Sequence, residues 1–168
     1  MGLFEHIETN KKIVLCTLHF KAKPLYEHVR EKEVVQYLEH IKDFIKEIKS
    51  NEKATEEEIE KIPLIISGDF NDVPKSATLK HMYNSVDVLG TKLKSAYEVD
   101  GKYPEYSTYK YRNDIVTKHV IDYVWYNKYL SLKSIREFPE ESEIPEDMGN
   151  PCHRYPSDHF STATTFEY

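Results

Sequence analysis

Apolar positions change their spacing from segment to segment, and the changes outline the elements. Residues 13–20 are mostly apolar and β-branched and predict a strand, which ends in Thr17-Leu18-His19-Phe20-Lys21-Ala22-Lys23-Pro24. From Tyr26 the spacing lengthens. Val34, Leu38, Ile41, Ile45 and Ile48 recur alternately four and three residues apart, with Lys and Glu between them. They form one apolar stripe on an amphipathic helix of about six or seven turns at roughly 3.6 residues per turn. Residues 50–61 read as an exposed, Glu- and Lys-rich connection with some helix.

The most informative stretch is Ile62-Pro63-Leu64-Ile65-Ile66-Ser67-Gly68-Asp69-Phe70-Asn71. A short apolar run after a proline predicts a buried strand. It breaks at Gly68 into a turn that presents Asp69 and Asn71. Ser76 is placed to cap a short helix running to about Asn84. Residues 85–103 look irregular, punctuated by Gly90 and Gly101. Strands are expected at 106–112, 119–126, 132–136 and 160–166. Residues 138–157 contain four prolines and little periodicity, and read as a long surface loop. No internal repeat or linker interrupts the chain, so one domain is expected over residues 1–168.

Composition narrows the partners. At 168 residues, with 39% hydrophobic content, the chain is long enough for one real core. The net charge of −6 excludes a broad basic surface of the kind that grips a phosphate backbone. An anionic substrate then needs local positive charge or a metal ion. Cys16 and Cys152 are far apart in sequence and have no other cysteine to pair with, which points to a reducing, intracellular compartment, the cytoplasm. No run approaches a membrane span, and the N-terminus has no signal-peptide pattern. His6 stands where a myristoylation motif needs Ser or Thr.

Candidate chemistry collects at predicted strand ends. His19 closes the first strand, Asp69 and Asn71 follow the next, and Asp158-His159 precede the last. Asp122 lies inside Val120-Ile121-Asp122-Tyr123-Val124-Trp125-Tyr126, where a buried acid requires a partner. A carboxylate can take a proton from water, an amide can donate to charge building on a substrate oxygen, and acids can hold a hard divalent cation. The bland alternative for Asp69 and Asn71 is an Asx turn that satisfies nearby backbone. Cys16 and His19, three apart on a strand, point to opposite faces, which disfavours a zinc site.

Those pieces, in this order, resemble the endonuclease/exonuclease/phosphatase superfamily. The resemblance lies in Gly68-Asp69-Phe70-Asn71, in Ile121-Asp122-Tyr123 and in Ser157-Asp158-His159. His19-Phe20-Lys21-Ala22-Lys23, Ser95-Ala96-Tyr97 and Tyr155 to His159 are similar to the nocturnin-like branch, related to the carbon-catabolite-repressor-type deadenylases. The resemblance implies an α+β fold: half of a four-layer αββα sandwich, with a mixed, mostly antiparallel sheet and helices on one face. It also implies roles. Asp69 orients or deprotonates the attacking water, and Asn71 holds the scissile phosphate oxygen. His159 contacts the phosphate with Asp122 fixing its ring, and His19 contacts it from the other side. Asp158 and Asp69 hold Mg²⁺ or Mn²⁺, and Lys21 and Lys23 face substrate phosphates. The implied activity is removal of the 2′-phosphate of NADP(H). The alternatives are 3′-exonucleolytic trimming of poly(A) RNA, or a non-catalytic relative used for interaction. Thr17-Leu18-His19 departs from the family's usual Asn-Thr-His. The family's first half, with its principal metal-binding Glu, has no counterpart in this sequence. The resemblance therefore implies an open apolar sheet face, to be covered by that half or by self-association.

Overall fold

The computed structural model describes residues 1–51, 61–144 and 151–167. In chain order its elements are β1 (Gly2–Glu5), β2 (Lys12–His19), α1 (Glu27–Asn51) and β3 (Leu64–Asp69). Then come α2 (Ala77–Tyr83), α3 (Val86–Leu89), β4 (Leu93–Ser95) and β5 (Thr108–Arg112). The last are β6 (Ile115–His119), β7 (Asp122–Asn127), β8 (Ser131–Ile135) and β9 (Thr164–Glu167). The main sheet runs β1-β2-β3-β7-β4, and β2 and β3 are its parallel pair. Every other pairing in it is antiparallel. The expected mixed, mostly antiparallel sheet is therefore present.

The predicted stripe is what seats α1. Val34, Leu38, Ile41 and Ile48 are buried on it, and they pack with Val14, Leu64, Ile66 and Trp125 of the sheet. Each such side chain contributes roughly 1.5–3 kcal/mol by leaving water. Glu and Lys on the outer face leave that side solvated. Ser76 caps α2 as predicted, its hydroxyl accepting from the Leu79 amide.

Alternation along the strands puts Leu15, Ile65, Val124 and Tyr126 on the face away from α1. The resemblance implied that this face would be open. Over β7 it is not. The β8–β9 hairpin lies there, with Leu132, Ile135 and Phe166 packed around Val124 and Tyr126. The rings of Tyr126 and Phe166 are 5.0 Å apart. Over β2 the face is less covered, and Leu15 is 36% exposed. The chain thus supplies part of a second layer itself.

Other local expectations change. The strand predicted at 119–126 forms as β7 from Asp122, while His119 ends β6, a separate strand that pairs with β5 as β7 pairs with β3 and β4. Residues 85–103, expected to be irregular, hold the short α3 and β4. The strand expected at 160–166 forms over Thr164–Glu167. Within the proline-rich loop, Glu141–Glu143 makes a turn of 3₁₀ helix and Ile144 is buried against Tyr106, Tyr109 and Phe160. The helix suggested within 50–61 falls mostly outside the described residues.

Candidate active site

Parallel β2 and β3 finish at the same edge of the sheet, and antiparallel β7 starts there. Register then aligns three polar residues across neighbouring strands: His19 faces Asp69, and Asp69 faces Asp122. All three share the face of Leu15, Ile65 and Val124 by strand alternation. The sequence at this edge needs Gly68. Its φ is +148°, and a Cβ there would stand 2.0 Å from the Leu18 carbonyl oxygen. Only glycine lets β2 pass that close while the chain turns to present Asp69.

The fourth residue arrives from far along the chain. The segment holding His159 is laid against β5: Thr108 bridges His159, the Tyr109 amide donates to the Asp158 carbonyl, and the Phe160 amide donates to the Ser107 carbonyl. This places His159 Nδ1 at 3.1 Å from both oxygens of Asp122. An ionised carboxylate only accepts, so Nδ1 is the protonated nitrogen. Nε2 then faces Asp69 Oδ2 at 4.0 Å, while His19 Nε2 lies 3.6 Å from the same oxygen. His19 is the most open member, its side chain 72% exposed.

Electrostatics tune the group. Burial, with the nearby charge of Asp122, raises the Asp69 carboxyl above the usual range against the opposing Asn71 amide. The hydrogen bond that His159 donates to Asp122, more than offsetting burial, raises the imidazole. For Asp158, burial works upward but is outweighed by Lys110, and its carboxyl is lowered. Lys110 Nζ lies 2.6 Å from Asp158 Oδ2.

The structure brings Asp69, Asn71, Asp122, His159 and His19 together, as expected from the sequence. Asn71 occupies the Asx turn as well. Its amide N–H donates to Asp69 Oδ1, and its side-chain Nδ2 donates to Asp69 Oδ2 and to the Phe20 carbonyl. Asp158 sits beside the group, but its carboxylate is directed to Lys110. Among the described residues, the set able to converge on one cation is Asp69, Asp122 and His159, with donor atoms within 4.8 Å of one another. Asp122 and Asp69 are the carboxylates of that set, while Asp158 is engaged by Lys110. Two carboxylates and an imidazole fit a divalent ion, and the like charge that raises Asp69 is what such an ion would relieve. Lys21 and Lys23 are exposed on the segment after β2, with Lys21 Nζ 5.1 Å from the Tyr26 ring centre.

Supporting residues were not evident from the sequence. Ser107, fully buried, donates from Oγ to Asp122 Oδ2 and accepts from the amides of Ile121 and Asp122. Arg30 and Asp72 form a buried ion pair at 3.1 Å. Arg30 did leave a signal, since it sits four residues before Val34, on the apolar stripe. For Ser107 there was none.

Comparison with known proteins identifies the family. Residues 49–159 match the Endonuclease/Exonuclease/phosphatase family, and the chain belongs to it. Human nocturnin is 30% identical over 167 residues, which is 96% of this chain and 35% of that protein. The CCR4-Not complex 3′-5′-exoribonuclease subunit Ccr4 of Kluyveromyces lactis is 26% identical over 185 residues, covering 97% of this chain and 22% of its own length. The solved catalytic domain of human nocturnin with bound sulfate superposes with a TM-score of 0.70 at 26% identity, covering 98% of this chain and 50% of that one. The chain thus spans about a third of the length of the nocturnins it matches. Enzymes of this family are metal-dependent hydrolases.

Proposed function

We propose that this chain carries the catalytic edge of a Mg²⁺-dependent phosphohydrolase, with Mn²⁺ as the substitute ion, that removes the 2′-phosphate of NADP(H). The observation that carries the reading is the convergence of the Asp122–His159 pair, Asp69 and Asn71 at one sheet edge. Asp69, its carboxyl raised above the usual carboxylate range by burial, orients the attacking water and takes its proton as the new P–O bond forms. Asn71 releases its Nδ2 bond to Asp69 and donates to a phosphate oxygen. Asp122 holds the His159 ring so that the charged imidazole meets the phosphate. His19 approaches from the opposite side. The ester P–O bond breaks, and the ribose oxygen leaves, protonated by water. A divalent ion would be held by the carboxylates of Asp69 and Asp122 and would supply charge neutralisation of the phosphoryl oxygens. Asp158, anchored by Lys110, lies close enough in sequence and space to orient His159.

Two features support the small substrate. The chain is acidic overall, and its exposed cations Lys21 and Lys23 form a short pair suited to one or two phosphates rather than a long polyanion. The sulfate in the related nocturnin domain is a phosphate-shaped anion bound by that protein. The second reading, 3′-trimming of poly(A), is favoured by the exoribonuclease relatives, which match nearly the whole chain. Phosphate release from NADPH, measured beside shortening of oligo(A) with Asp69→Ala and His159→Ala controls, separates the readings. Mg²⁺-dependent release from NADPH, lost in both controls, is expected. Shortening of oligo(A) without release would overturn it.

A further inference from the structure

The Arg30 guanidinium is nearly inaccessible, 3% exposed, yet it stands on the inner face of α1 among aliphatic residues. Its Nε donates to Asp72 Oδ2 at 3.1 Å. Its Nη1 donates to two backbone carbonyls, Lys21 at 3.0 Å and Lys23 at 2.7 Å. Asp72 is itself held by the Thr78 hydroxyl at 2.8 Å, and its carbonyl accepts from Tyr123 at 2.9 Å. An apolar pair of similar volume would seat the helix at least as well as a buried ion pair. What an apolar pair lacks is the planar fork, which here reaches acceptors on two separate loops.

Those loops carry the two halves of the candidate substrate surface. One leaves β2 with Lys21 and Lys23. The other leaves β3 with Asn71 and Asp72. They are also tied directly, since the Phe20 amide donates to the Asp69 carbonyl and Asn71 Nδ2 donates to the Phe20 carbonyl. Glu33 of α1 accepts the Lys21 amide at 2.9 Å. Lys23 takes a φ of 81°, a conformation that side-chain-bearing residues rarely adopt, and Asn71 a φ of 51°, which asparagine tolerates in turns. The carbonyls of both lysine residues are bound to Arg30, while the residues themselves remain exposed.

We propose that Arg30 is a positioning residue that sets the spacing between the Lys21–Lys23 cations and Asn71. It thereby sets the preference for substrates bearing a second phosphate group beyond the scissile one. This rests on the phosphohydrolase reading above. Arg30 touches no substrate and acts through the two loops it joins. Remote phosphate binding of this kind is useful only if the distance to the reacting phosphorus is fixed.

The test compares NADPH, which carries a diphosphate beyond its 2′-phosphate, with adenosine 2′-monophosphate, which does not. Arg30→Lys keeps the charge but cannot reach all three acceptors. It is expected to reduce kcat/KM for NADPH by about tenfold or more, the worth of one charge-assisted contact, while changing the monophosphate little. In the Arg30→Lys background, Lys21→Ala/Lys23→Ala is expected to add almost nothing, whereas in the unmodified chain it produces the same loss. Equal losses on both substrates, or fully additive losses, would overturn the proposal. If Arg30→Lys does not fold, Arg30→Gln/Asp72→Asn, a neutral hydrogen-bonded pair, takes its place with the same expected ratio. Should neither compound be hydrolysed, the phosphohydrolase reading fails separately. Calorimetric Kd values for adenosine 2′,5′-bisphosphate and adenosine 2′-monophosphate then carry the same comparison, and unchanged selectivity between them would overturn the role of Arg30.

Discussion

His159 Nδ1 stands equally far, 3.1 Å, from both carboxylate oxygens of Asp122, so the ring is held across the carboxylate rather than at one corner. This geometry fixes which nitrogen bears the proton and leaves Nε2 toward Asp69. Asp122→Asn removes the charge that raises His159. The expected result is an imidazole pKa that falls, followed by NMR of the ring protons, and a fall in kcat of roughly a hundredfold or more. An unchanged titration would contradict the assignment.

The pH dependence has a defined sign. In the proposed mechanism Asp69 is ionised when it acts as base, so its raised carboxyl is expected to set the acidic limb of activity. His159 is charged when it meets phosphate, so its raised imidazole is expected to set the alkaline limb. For stability, a His raised on folding contributes fully below its unfolded pKa of about 6.5, and the contribution is lost as pH rises through the folded value. The destabilisation caused by His159→Gln is therefore expected to be larger at about pH 6 than at about pH 9, and to stay within roughly 1 kcal/mol because the side chain is partly solvated. Denaturant titrations at both pH values check this.

Binding of Mg²⁺ or Mn²⁺ is expected to raise the thermal midpoint of the chain, because the candidate site at Asp69 and Asp122 exists in the folded arrangement and not in the unfolded one. The rise should disappear with EDTA and in Asp69→Ala. A midpoint that rises equally in Asp69→Ala would move the ion elsewhere.

Gly68→Ala is expected to cost about 3 kcal/mol or more, since the new Cβ meets the Leu18 carbonyl at 2.0 Å and the φ of +148° is foreign to alanine. Urea denaturation measures the loss. A cost under about 1 kcal/mol would mean that β2 can retreat.

Ser107→Ala leaves the amides of Ile121 and Asp122 without the hydroxyl that accepts from them, and deprives Asp122 of a donor. A loss of about 2–4 kcal/mol follows from orphaning buried donors. Unchanged stability would indicate that water replaces the hydroxyl.

Legibility in the sequence followed physical locality. The stripe from Val34 to Ile48 shows α1 because helix contacts repeat within the chain. Gly68-Asp69-Phe70-Asn71 shows a turn because its chemistry is local. The division between β6 and β7 at Val120-Ile121 was not visible, since both segments look extended and only their different pairing partners separate them. The engagement of Asp158 was not visible for a similar reason. The preference of Asp158 for Lys110 depends on β5 lying alongside it, which no spacing within Ser157-Asp158-His159 reveals. The partial cover on the far sheet face came from β8 and β9, whose pairing is equally non-local.

The bridge from Thr108 to His159 has a kinetic consequence. His19, Asp69, Asp122 and His159 are drawn from nearly the full length of the chain, and none lies within a helix that can form by itself. Contacts of such long sequence separation slow folding. The candidate site is therefore complete only once the His159 segment has docked onto β5.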